Sequence, residues 1–175
     1  MTAARLYVCS LTKVVDTVRA SGARSLVSIL TAGASVARPR EIAEARHLRI
    51  AVSDIDAAQD GHILAGRDHV ERLLGFLHDW DRRAPLVIHC YAGVSRSPAA
   101  AFVAACALAP RRDELDLARE LRRVSPTATP NRRLVALADD MLARSGRMNA
   151  AIADIGRGAD CFEGAPFALE LPRAQ

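Results

Sequence analysis

The stretch His89-Cys90-Tyr91-Ala92-Gly93-Val94-Ser95-Arg96-Ser97 decides how this chain is built around its centre. The apolar run Leu86-Val87-Ile88 leads into it, and an alanine-rich helical pattern led by Pro98 follows. A strand, a tight loop and a helix N-terminus place the Cys90 sulfur at the bottom of a cup of backbone N–H groups. Such a cup binds a phosphate-sized anion, because unpaired N–H groups and the helix dipole both favour negative charge. Helix N-termini also favour thiolate over thiol, and the thiolate is the nucleophile. One short segment thus supplies an anion site and a reactive sulfur.

Working outward, hydrophobic periodicity sets the remaining elements. Leu6-Tyr7-Val8 reads as a first strand, Leu11 to Ala20 as a helix ended by Gly22, and Ser25 to Leu30 as a strand. Pro39 opens a short helix through Arg46, and Leu48 to Val52 is a strand followed by an acidic loop, Ser53 to Gly61. Val70, Leu73, Leu74 and Leu77 form one stripe of a helix over Arg67 to Trp80. Ser97 is expected to cap the helix after the loop, with Pro98 in its first turn. That helix is apolar nearly all round to Ala109, which marks it as buried and central. Further helices are expected over Glu114 to Val124, Asn131 to Arg144 and Met148 to Ile155. Alternating strands and helices predict an α/β fold: a central, mostly parallel sheet of about four to five strands flanked by helices. Residues 1–156 are expected to form the one domain, and residues 157–175 an irregular C-terminal tail docked by Phe162 and Phe167.

The full pattern His-Cys-x-x-Gly-x-Ser-Arg-Ser, between an apolar strand and a helix start, resembles the active-site loop of the cysteine-based protein tyrosine phosphatase superfamily, in its dual-specificity-like branch. The resemblance is strongest over residues 47–135 and implies a phosphatase-type fold. It also implies hydrolysis of phosphomonoesters through a phosphocysteine intermediate, with no metal and no cofactor. On that reading Cys90 attacks phosphorus. Arg96 grips two equatorial oxygens with its planar fork, and the backbone of Tyr91, Ala92, Gly93, Val94, Ser95 and Arg96 holds the phosphate. Gly93 supplies a positive φ, Ser97 donates to the sulfur, and His89 and Asn131 support the loop. A general acid is implied on the acidic loop upstream. Asp54 follows the preceding strand most directly and is the first choice, with Asp56 and Asp60 as alternatives. The metal-dependent reading of Asp54-x-Asp56 has no support from its flanking residues.

The expected partner is a phosphorylated protein, carrying phosphotyrosine and also phosphoserine or phosphothreonine, or a small phosphomonoester. A catalytically weak phosphate-ester-binding module of the same fold is the alternative. Net charge +4 fits an anionic substrate, but the arginines are scattered and not interleaved with aromatics, against nucleic acid. No apolar stretch is long enough to span a bilayer, so no membrane partner is expected. The four cysteines form neither a zinc pattern nor a disulfide framework, and a catalytic thiolate needs a reducing compartment, so the expected location is cytoplasmic. Cys9, Cys106 and Cys161 read as small buried hydrophobes. Lys13 is the only lysine among many arginines and alanines, a composition associated with GC-rich bacterial genomes.

Overall fold

Among the described residues a five-stranded sheet runs in spatial order through His47–Ala51, Ser25–Leu30, Leu86–Cys90, Ala4–Ser10 and Phe167–Leu171, and its second and third strands are buried along their whole length. The computed structural model describes residues 4–171. The strands are β1 (Ala4–Ser10), β2 (Ser25–Leu30), β3 (His47–Ala51), β4 (Leu86–Cys90) and β5 (Phe167–Leu171). The helices are α1 (Val14–Ser21), α2 (Arg67–Asp79), α3 (Arg96–Leu108), α4 (Glu114–Val124), α5 (Arg132–Met141) and α6 (Arg147–Ile155). β1 to β4 run parallel, and β5 pairs antiparallel with β1. The α/β sandwich with a mostly parallel sheet is the architecture expected from the alternating periodicities.

β2 and β4 are buried along their whole length, as strands covered on both faces must be. Successive side chains point to opposite faces, so β4 divides its residues. Val87 joins Cys9, Val14, Val18, Leu26 and Ile42 in a core beneath α1. Leu86 and Ile88 join Leu6, Val8, Val27 and Ile29 in the larger core beneath α2 to α6. α3 is the centre of that larger layer: every residue from Arg96 to Cys106 is buried. Its alanines, Ala99 to Ala101, Ala104 and Ala105, keep its girth small enough for neighbours on several sides.

After β1 the chain crosses to α1 on one face; after β4, its neighbour, it crosses to α3 on the other. Adjacent parallel strands whose connections part in this way open a crevice at their C-terminal ends, where ligands bind in α/β sheets. Cys90 is the last residue of β4.

Four expectations need correction. The helix expected from Pro39 to Arg46 is a loop with one 3-10 turn at Glu44–Arg46. Buried Ile42 is its anchor, and one apolar residue gives a helix no stripe to bury. Residues 157–175 are not irregular throughout, because Phe167–Leu171 is β5, with Phe167, Leu169 and Leu171 buried on alternate positions. Phe167 does dock, but Phe162 is fully exposed. Cys161, expected to be buried, is exposed too.

Candidate active site

Residues 91–95 bridge β4 and α3, and the outer side of this loop is tied down by backbone hydrogen bonds. Leu11 N–H donates to Tyr91 C=O (3.0 Å), Gly164 N–H to Ala92 C=O (2.9 Å) and Thr129 N–H to Val94 C=O (2.7 Å). Ser95 C=O accepts from Asn131 N–H (3.2 Å) and from Ala99 N–H (3.0 Å). In a trans peptide the C=O and the following N–H point in opposite directions. With those carbonyls held outward, the N–H groups of Ala92, Gly93, Ser95 and Arg96 turn to the concave side. Their convergence builds an anion cup at the start of α3.

Gly93 closes this loop against the sheet. Its φ is +72°, and a Cβ there would lie 2.9 Å from both the Cys9 carbonyl carbon and the Ser10 nitrogen. Both the backbone conformation and the close approach demand glycine.

Ser97 Oγ donates to Cys90 Sγ at 3.0 Å. This contact is the one the resemblance implies for Ser97, while the capping role also expected of it is not seen. α3 begins one residue earlier, at Arg96, with Ser95 in the cap position. The side chain of Ser95 does not cap the helix either; it donates to Asp54 Oδ1 at 2.7 Å. Arg96 is buried, and its Nη1 is anchored on Val52 C=O (2.9 Å) and Thr31 Oγ1 (3.3 Å). Its Nε is buried with no hydrogen-bond partner, so that N–H can still take an oxyanion.

The structure distinguishes among the three aspartates. Asp54 Oδ1 accepts from Ser95 Oγ and from Asn131 Nδ2 (3.0 Å), while Oδ2 lies 4.0 Å from Arg96 Nε. Asp56 and Asp60 are exposed on the same loop, and Asp54 is the one bonded to the turn between β4 and α3. Asn131 uses every part of its amide: Oδ1 caps α5 at Leu134 N–H (3.0 Å), and Nδ2 also donates to Ile55 C=O (3.3 Å). That network fixes which way the amide is turned. One residue thereby links α5, the turn between β4 and α3, and the loop of Asp54.

Beneath the loop, on the α1 face, His89 is fully buried. Its Nε2 lies 2.6 Å from Ser28 Oγ and its Nδ1 3.3 Å from Cys90 C=O. Ser28 Oγ lies 2.8 Å from His47 Nε2. Burial pushes both imidazoles down to about 4, helped by the Arg96 charge at His89 and the Arg49 charge at His47. With both rings neutral, the donors fall in one direction: His47 Nε2–H to Ser28 Oγ, Ser28 O–H to His89 Nε2, and His89 Nδ1–H to Cys90 C=O.

This chain makes a stability prediction. The folded pKa values lie below the ordinary histidine value, so the unfolded chain takes up protons first as pH falls. The contribution is complete above about pH 6.5 and is lost as pH falls toward 4. Denaturant midpoints should drop over that window. His89→Asn should flatten the drop, and an unchanged slope in that variant would show that these rings do not govern it.

Burial pushes the Cys9 thiol up to about 11 and the Cys106 thiol up to about 12, which keeps both protonated. Cys106 lies near the far end of α3 from Cys90. Among the described residues no cluster of three His, Cys, Asp or Glu side chains is placed to hold a metal ion. No described helix is long and apolar enough to cross a membrane.

This architecture is shared with solved structures. The fold is that of the dual-specificity phosphatases. The chain superposes on human DUSP28 with a TM-score of 0.60 at 16% identity, over 85% of this chain and 94% of that one. It superposes on the Yvh1 phosphatase domain from Chaetomium thermophilum with a TM-score of 0.60 at 17% identity, over 82% and 93%. PTPMT1, solved in complex with PI(5)P, matches with a TM-score of 0.58 at 11% identity, over 80% and 94%. No protein-family model matches the sequence, and no curated protein matches it significantly.

Sequence reasoning singled out residues 89–97, Asp54 and Asn131, and the structure brings them together around one cup. It missed Thr31, Ser28 and His47, and it missed the C-terminal contact through Gly164. The backbone contact leaves no side-chain signature. Ser28, in the middle of an apolar strand, was the one visible polar oddity.

Proposed function

We propose that this protein is a phosphomonoesterase that works through a phosphocysteine, with aryl phosphates such as phosphotyrosine as its principal substrate class. The observation that carries this reading is the Ser97 Oγ–Cys90 Sγ hydrogen bond at 3.0 Å, at the base of a cup that also holds an unpartnered Arg96 Nε. The Cys90 sulfur attacks phosphorus, and the phosphate oxygens are held by the inward N–H groups and Arg96. Asp54 carries its proton on Oδ2, since Oδ1 already accepts two hydrogen bonds, and delivers it to the departing oxygen. In the second step Asp54 takes a proton from water as that water attacks the phosphocysteine. Ser97 then stabilises the sulfur as it leaves.

Tyr91, beside the sulfur in sequence, is 66% exposed and presents an aromatic face for a phenyl ring. The cup residues Tyr91, Ala92, Val94 and Ser95 include no lysine, which disfavours highly phosphorylated inositol lipids. Phosphoserine and phosphothreonine are slower substrates on this reading, because their alkoxide leaving groups demand more of the acid. The binding-module reading is disfavoured because nucleophile, acid and leaving-group donor are all assembled. The thiolate chemistry suits a reducing cytoplasm.

The test is hydrolysis of para-nitrophenyl phosphate and a phosphotyrosine peptide in excess chelator with no added metal. Turnover at the undiminished rate is expected. Activity abolished by chelator and restored by magnesium overturns the mechanism.

A further inference from the structure

Beyond β4, α3 and the loop of Asp54, one more segment reaches the phosphate loop. Residues 156–166, between α6 and β5, run along its outer side. Gly164 is buried, and its N–H makes the 2.9 Å bond to Ala92 C=O. A Cβ at Gly164 would lie 2.9 Å from Gly93 C=O, so the two backbones are in direct apposition. Next to it, the Glu163 carboxylate accepts from Ser10 Oγ and Thr12 Oγ1. Those residues flank Leu11, whose N–H holds Tyr91 C=O. At the other end, Gly158 N–H donates to Thr129 Oγ1 at 3.0 Å, and the Thr129 N–H holds Val94 C=O. Ala159 N–H donates to Pro126 C=O at 3.0 Å. Arg122 ties both sides together by donating to the carbonyls of Pro126, Ala128 and Gly156 at 2.8, 2.7 and 2.8 Å.

The outward tie on Ala92 therefore runs to this strap, that on Val94 to Thr129, which the strap bonds, and that on Tyr91 to Leu11, which lies between two residues that the strap bonds. We propose that residues 156–166 are a positioning segment of the phosphate site, with Gly164 and Glu163 as its working contacts. Gly164 sets the tilt of the Ala92–Gly93 peptide, whose N–H faces the anion. Glu163 keeps the strap seated on the end of β1. The inference rests on the anion-binding reading of the loop.

The test measures inorganic phosphate and vanadate affinity, together with kcat and KM for an aryl phosphate. The proteins are the full chain, Glu163→Ala, Glu163→Gln and Gly164→Pro, each first checked by thermal unfolding. Glu163→Ala should weaken phosphate about tenfold and lower kcat at temperatures where it is fully folded, an effect of about one lost hydrogen bond. Glu163→Gln keeps an acceptor oxygen and should recover much of the loss. Gly164→Pro removes the N–H itself and should lose more. If Gly164→Pro does not fold, the Glu163 pair decides. Wild-type affinity and kcat in folded Glu163→Ala would overturn the proposal, leaving the strap a purely structural cover. If the wild-type chain binds neither anion, the loop reading itself fails and the strap proposal falls with it.

Discussion

Cys90→Ser is expected to reduce aryl phosphate turnover to background while leaving phosphate and vanadate binding largely intact. The nucleophile in the proposed first step is a thiolate, and a serine hydroxyl keeps its proton near neutral pH. The binding elements do not involve the sulfur. On the proposed reading they are the backbone N–H groups of Ala92, Gly93, Ser95 and Arg96 and the Arg96 guanidinium, whose Nη1 is held by Val52 and Thr31. The substitution is nearly isosteric, and Ser97 Oγ at 3.0 Å can hydrogen-bond to the new hydroxyl. Steady-state kinetics and an anion titration of the same preparation separate the two effects. Wild-type turnover would place the nucleophile elsewhere. Loss of binding together with turnover would mean that Cys90 acts through the loop's shape.

Asp54→Asn is the second large effect, and its size should depend on the substrate. General acid catalysis typically contributes about 10²–10⁴-fold. The phenol of tyrosine has a pKa near 10, so its departure needs the proton badly. A nitrophenol leaves with much less help. The variant should therefore slow phosphotyrosine strongly and para-nitrophenyl phosphate weakly. Its rate profile should also lose the high-pH fall that reports loss of the acid's proton. Asparagine keeps an acceptor for Ser95 Oγ and Asn131 Nδ2, so the loops should stay in place. Asp56→Asn and Asp60→Asn serve as controls on exposed positions of the same loop. An unchanged profile in Asp54→Asn, with the limb lost in Asp56→Asn, would move the acid two residues along. No effect at any of the three would favour a phosphate-ester-binding module.

The contrast between Cys90 and Asp54 shows where the sequence is legible. The proposed nucleophile, the arginine, the glycine and the serine lie within nine consecutive residues, because a cup at a helix N-terminus is made by local backbone. Its parts are therefore contiguous. The proposed acid approaches from a different loop, and the choice among Asp54, Asp56 and Asp60 depends on how that loop turns. Ser95 and Asn131, from two other segments, make that choice by hydrogen-bonding Asp54.

The sheet divides in the same way. β2 and β4 announce themselves as short, mostly apolar runs, and α3 beyond Ser97 as a helix apolar nearly all round, since burial on every side leaves few polar positions. β5 alternates over only five residues after a glycine- and proline-containing segment, and its partner β1 lies at the opposite end of the chain. Nothing local reports a pairing between segments so far apart.

By itself the sequence determined the α/β class, the central strand–loop–helix and the placement of Cys90, Arg96 and Ser97 on that one segment. Each follows from periodicity or from residue types at fixed short spacing. Only the tertiary structure decided that Asp54 bonds Ser95 and Asn131, that Ser97 does not cap the helix, and that a C-terminal strap bonds Ala92. Those contacts join backbone and side-chain groups from distant segments, and hydrogen-bond geometry across such distances is set by packing, not by residue order.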